Sequence, residues 1–85
     1  MSRFVYVLES LSNPSRHYVG SSADVTTRLA AHNAGASSHT AKFRPWRLTV
    51  SIQFADAARA DRFERYLKSG SGRAFARAHF GTPAE

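Results

Sequence analysis

Apolar residues come in short blocks along this 85-residue chain, and their period changes from block to block. Phe4-Val5-Tyr6-Val7-Leu8 is an unbroken run of β-forming side chains. That is the pattern of a strand covered on both faces, and it predicts a strand over Arg3 to Ser10. Ser12-Asn13-Pro14-Ser15 is a turn cluster, and His17 to Gly20 reads as a second strand antiparallel to the first. Asp24 is a good helix cap. Beyond it Val25, Leu29 and the Ala30/Asn33 edge share one side of a helix ending near Asn33, with Gly35 as a left-handed stop. Ala36 to Ala41 reads as a polar loop. Leu48, Val50, Ile52 and Phe54 alternate with polar residues and predict a half-buried strand within Phe43 to Phe54, entered through Pro45. Asp56 caps a second helix reaching Lys68, with Ala60, Phe63 and Leu67 as its core stripe and Tyr66 beside it. After Ser69-Gly70-Ser71-Gly72, a short third helix from Arg73 to Phe80 turns Phe75 and Ala78 inward. The order β-β-α-β-α-α predicts an α/β chain of the α+β kind, a three-stranded sheet flanked by helices. Residues 1–80 are expected to form a single domain, with 81–85 as a flexible tail.

Charge changes the picture first. Twelve basic residues face six acidic ones, for a net +6, and ten of the twelve are arginine. Arginine matches phosphate oxygens with a planar fork, so the balance points to nucleic acid. Cysteine is absent, which excludes disulfides, thiolate zinc sites and cysteine nucleophiles. No apolar run is long enough to span a bilayer, and the N-terminus has no signal-peptide design, so a cytoplasmic or nucleoid-associated protein is expected.

The candidate chemistry is sparse. No Gly-rich phosphate loop is present, and His17, His32, His39 and His79 have no metal-ligand spacing. Of the six acids, Asp24 and Asp56 read as helix caps and Glu85 is the last residue. Glu64 falls on the edge of the apolar stripe of its helix, where a carboxylate needs a partner; Lys68, four residues on, offers a surface ion pair, and a metal is the alternative. Arg28 and His32 share a helical face, although Arg28 is also placed to pair with Asp24. Tyr6 and Tyr18 lie within the two hairpin strands, where a phenol ordinarily just finds a hydrogen-bond partner. Gly20 allows close backbone approach at the end of the second strand. Lys42, Arg44 and Arg47, interleaved with Phe43 and Trp46, form a basic and aromatic mixture suited to tracking and stacking on nucleic acid, unless the two aromatic rings close the core instead. Lys68, Arg73 and Arg77 offer a second basic strip.

Taken in order, Phe4-Val5-Tyr6, Tyr18-Val19-Gly20, Arg28, His32 and a late helical Glu64 resemble the GIY-YIG nuclease superfamily. Gly35 to Thr40, Arg44 to Leu48 and Glu64 to Lys68 look like its small single-domain bacterial members related to the UvrC nuclease module. The first motif departs from the family name, with Phe4 where the glycine would stand, and Val19 replaces isoleucine in the second. The resemblance implies a metal-dependent DNA endonuclease, structure-selective and linked to repair or recombination. Its catalytic set would be Tyr6, Tyr18, Arg28, His32 and Glu64, with Glu64 holding Mg²⁺ or Mn²⁺. Gly20, Lys42, Arg44, Trp46, Arg47, Lys68 and Arg73 would contact DNA, whether branched, flapped or single-stranded. The competing expectation is a non-catalytic nucleic-acid-binding module or accessory subunit; a small protein-interaction domain is a third. No membrane partner is expected.

Overall fold

The computed structural model describes residues 2–81. Three antiparallel strands, β1 (Arg3–Ser10), β2 (His17–Ser22) and β3 (Trp46–Phe54), form one sheet in the order β2-β1-β3. Among the described residues there are also four helices: α1 (Val25–Asn33), α2 (Ser38–Ala41), α3 (Ala57–Leu67) and α4 (Gly70–Phe80). No helix among the described residues is long and apolar enough to cross a membrane. The expected tail begins at Gly81, the left-handed cap of α4; residues 82–85 lie outside the described residues.

The continuous apolar run of β1 is explained by its central position. Alternate side chains point to opposite faces, so the strand serves two cores. Val5 and Val7 join Ala60 of α3, Leu67 of α3 and the half-buried Val19, Val50, Phe63 and Phe75 on one face. Tyr6 and Leu8 join Trp46 on the other, under Val25 and Leu29 of α1. Both expected helix caps form: Asp24 Oδ1 accepts from the Thr27 amide at 3.1 Å, and Asp56 Oδ1 from the Arg59 amide at 2.9 Å. Helix α1 closes on a Schellman motif. Gly35, with φ of 81°, donates its amide to the His32 carbonyl, and Ala36 donates to Ala31.

Four details differ from the expected pattern. Strand β2 runs on to Ser22, because Ser21 and Ser22 pair with Val5 and Phe4 through the backbone. Residues 38–41, read as loop, form the single turn of α2. Helix α4 begins at Gly70 because Ser69 Oγ accepts from the Gly72 amide at 3.2 Å, and its inner side is Gly72, Phe75 and Ala76, leaving Ala78 exposed. Finally, β3 does not alternate throughout. Val7 pairs with Val50 but Leu8 with Leu48, so Thr49 is an extra, bulged residue whose hydroxyl donates to the Val7 carbonyl at 3.0 Å. The bulge turns Leu48 away from the face of Val50. Leu48 is 40% exposed and lines a groove with Phe4, Val25 and Leu29 beside the start of α1.

Candidate active site

The site is built on the hairpin and α1. Tyr6 lies opposite Gly20 and Leu8 opposite Tyr18, so the two tyrosines project to the same face of the sheet. Their rings are 6.3 Å apart. A Cβ on Gly20 would sit 2.6 Å from the Tyr6 hydroxyl, closer than side chains pack, so the absent side chain leaves room for the phenol itself. His32, one turn beyond Arg28 on α1, is buried against both tyrosines. Its ring is 4.8 Å from that of Tyr18, and its Nε2 is 3.2 Å from the Tyr6 hydroxyl. On the far side of the ring, Nδ1 is 2.9 Å from Thr40 Oγ1.

Electrostatics gather around the Tyr6 hydroxyl. Burial raises its pKa above the ordinary 10.0; the Arg28 guanidinium pulls the other way, while Tyr18 and the Glu64 carboxylate push it further up. Arg28 on α1 and Glu64 on α3 therefore both act on this one phenol. The Asp24 carboxylate is occupied by the Thr27 amide and hydroxyl, and no carboxylate among the described residues pairs with Arg28. Glu64 is about one-fifth exposed and does have the surface partner anticipated for it. Lys68 Nζ lies 2.9 Å from its Oε2. No cluster of three metal-ligating side chains occurs among the described residues.

His32 is held neutral. Burial lowers its pKa below 6.5, and the nearby Arg28 charge lowers it again. The unfolded chain then takes up a proton at about pH 6.5 that the folded chain refuses until lower pH. The His32 contribution to stability is complete above about pH 6.5 and is lost as pH falls toward the lower folded value. Thermal melts are expected to fall between pH 7.5 and 5 in the wild type. The slope should shrink in His32→Gln; equal slopes in the two proteins would contradict this account.

The proposed DNA-contacting residues are less uniform. Trp46 requires correction: it is only 4% exposed, its indole N–H donates to the Thr40 carbonyl at 2.8 Å, and its backbone is clasped by both amide atoms of Asn33. It is a core residue with no face free for a base. Arg44 Nε donates to the Ala41 carbonyl, and its guanidinium packs on Gly35. Arg47 pairs with Glu9 at 2.7 Å, and Lys68 with Glu64. Lys42 sits 5.8 Å from the half-buried Phe43 ring. Arg73 is exposed, and no acid among the described residues pairs with it. Two participants escaped the sequence reading. The Arg16 guanidinium lies 4.8 Å from the Phe43 ring, and Thr40 is buried with its hydroxyl against His32 Nδ1. The pattern carries no signal for Arg16, which closes a turn, and Thr40 falls in the segment whose pattern is that of a polar loop.

Comparison with known proteins shows the family and the fold. The model of the GIY-YIG catalytic domain matches residues 2–77. The structure-specific endonuclease subunit SLX1 of Scheffersomyces stipitis is 43% identical over 67 residues, covering 71% of this chain and 20% of the relative. The SLX1 subunit of Candida dubliniensis is 37% identical over 71 residues, covering 75% and 25%. The chain thus spans about a quarter or less of these relatives. Among solved structures, the solution NMR structure of a UPF0213 protein from Bacillus halodurans superposes with a TM-score of 0.56 at 28% identity, over 98% of this chain and 89% of that one. A hairpin that turns two tyrosines toward an arginine and histidine helix, matched along nearly all its length by one domain model, makes this chain a member of the GIY-YIG family.

Proposed function

We propose that the chain is a divalent-metal-dependent DNA endonuclease that hydrolyses phosphodiester bonds in branched, flapped or single-stranded DNA, in the service of repair or recombination, in the cytoplasm or on the nucleoid. The observation that carries this reading is the buried Tyr6 hydroxyl, bonded to a neutral His32 and acted on by both Arg28 and Glu64. The names of the SLX1 relatives support the substrate class. Phosphodiester hydrolysis needs an activated water, neutralisation of charge at phosphorus and a stabilised leaving oxygen. Arg28, free of acidic partners, clamps the scissile phosphate with its planar fork. Tyr6 takes the proton of the attacking water, and Tyr18 orients that water or the phosphate beside it. His32 relays the proton onward.

Glu64 is the residue that would hold Mg²⁺ or Mn²⁺. A single carboxylate suits magnesium, which keeps most of its waters and completes its shell with phosphate oxygens. When bound, the ion supplies positive charge that favours a deprotonated oxygen nucleophile and a departing alkoxide. The Lys68 side chain is 54% exposed and so can leave Glu64 without disturbing the core. Tyr6→Phe keeps the ring and removes the hydroxyl. Cleavage by this variant is expected to slow by about 10²-fold or more, the scale of acid–base groups, while the domain still folds with stability lower by about 1–3 kcal/mol because the buried His32 Nε2 loses its partner. Wild-type rates in this variant would remove Tyr6 from the chemistry.

The Glu64–Lys68 pair favours a second reading, a module that binds nucleic acid without cutting it. One panel separates the two: flap, splayed, single-stranded and duplex DNA incubated with Mg²⁺ or Mn²⁺. Metal-dependent nicking is the expected result. Binding with a log–log salt slope near about −4, and no cleavage under any metal, would favour the module.

A further inference from the structure

His32 has two ring nitrogens, and the chemistry above uses one of them. The other faces Thr40, which is 1% exposed and stands on the single-turn helix α2. Thr40 Oγ1 lies 2.9 Å from His32 Nδ1 and 3.4 Å from the Ser37 carbonyl oxygen. A hydroxyl has one proton to give. Two arrangements of the buried protons need comparing. In the first, Thr40 donates to Ser37 and accepts from Nδ1–H, so Nε2 carries a bare lone pair and accepts the Tyr6 hydroxyl proton. In the second, Thr40 donates to Nδ1 and Nε2–H donates to the Tyr6 oxygen. The second strands the Tyr6 proton: the phenol is 1% exposed, His32 is its one hydrogen-bonding partner within 3.5 Å among the described residues, and the adjacent Arg28 guanidinium can only donate. Only the first gives every buried proton an acceptor on the protein itself.

We propose that Thr40 is a positioning residue: its hydroxyl holds His32 in the Nδ1–H form, so that Nε2 stands ready to take the Tyr6 proton. The tautomer assignment rests on this geometry alone, while its catalytic consequence rests on the endonuclease reading. In that step the water proton passes to the Tyr6 oxygen as the Tyr6 proton moves to His32 Nε2. The resulting hydroxide forms the new bond to phosphorus. The bond to the leaving oxygen breaks with its electron pair, that oxygen takes a proton from solvent, and His32 returns its own to solvent.

The test is tautomer-resolved NMR of the full chain labelled with ¹⁵N-histidine at pH 8, with His32→Gln assigning the signals. The wild type is expected to show a protonated Nδ1 and a bare Nε2. Thr40→Val should shift the ring toward Nε2–H or a mixture of forms and slow DNA cleavage by about 10-fold to 100-fold, the usual effect of removing a partner that orients an active-site histidine. Thr40→Ser should restore both. A wild-type Nε2–H ring overturns the proposal without any variant, so misfolding of Thr40→Val would not shield it. An unchanged tautomer in a folded Thr40→Val overturns it too. If the tautomers behave as expected but the wild type cuts no DNA with any metal, the endonuclease reading and the catalytic half of the proposal fall together, while the hold of Thr40 on the ring stands.

Discussion

Glu64→Ala is expected to reduce metal-dependent nicking by about 10³-fold or more while leaving the fold and DNA binding nearly untouched. The loss is large because Glu64 is the carboxylate proposed to hold the ion, and the described residues hold no cluster of three metal-ligating side chains that could replace it. On the proposed reading, removing the carboxylate would remove both the place for the ion and the charge stabilisation it would bring to the transition state. The cost to stability is small. Glu64 is partly exposed, and its one ion pair is an i,i+4 contact with Lys68 on the helix surface, worth about 0.5 kcal/mol or less. A melting profile beside the cleavage panel checks both halves. Full Mg²⁺-dependent activity in the variant would place the metal elsewhere and dissolve the site as described.

The second large effect is on stability. Gly72→Ala is expected to destabilise the domain by about 3 kcal/mol, the upper end for forcing extra volume into a packed interior. Gly72 is buried in the first turn of α4, where that helix meets the end of α3. An added Cβ would overlap the Tyr66 carbonyl oxygen and lie 2.6 Å from Leu67 Cα. These are backbone atoms, so no rotamer change relieves the clash. The two helices must separate, which opens the Phe63, Phe75 and Phe80 packing on that face. For a chain of this size the shift corresponds to roughly 12–24 °C in Tm. A melt within about 2 °C of wild type would show that α4 docks more loosely than the structure has it.

Periodicity revealed the elements whose side chains decide them. Central β1 announced itself by an apolar run without alternation, and α1 and α3 by Asp caps and one-sided stripes. What stayed hidden was decided by the backbone or by a single turn. The bulge at Thr49 leaves a clean alternating pattern in the sequence yet reverses Leu48, because the extra residue is absorbed by pairing and not by composition. Helix α2 is too short to show a period, so Thr40 was hidden with it. The Tyr6, Tyr18, Arg28, His32 and Glu64 set is what the resemblance to the GIY-YIG superfamily implies, since each of these residues taken alone has an ordinary structural explanation. Trp46 illustrates the reverse difficulty. An indole beside arginines suits a stacking platform and a core equally well, and only burial with a satisfied N–H distinguishes them.

The middle strand carries Tyr6 as filling and, on the proposed reading, as reagent, and this biases how the domain can decay. A descendant relieved of selection for cutting could discard the phenolic oxygen at the cost of one buried hydrogen bond to His32, about 1–3 kcal/mol, since phenylalanine keeps the volume between Leu8, Trp46 and Tyr18. Alanine there would leave a void costing about 3–5 kcal/mol, a large part of what so small a domain possesses. Retired copies should therefore drift to phenylalanine at this position far more often than to small residues, and the loss of one oxygen atom would mark a pseudoenzyme that still folds.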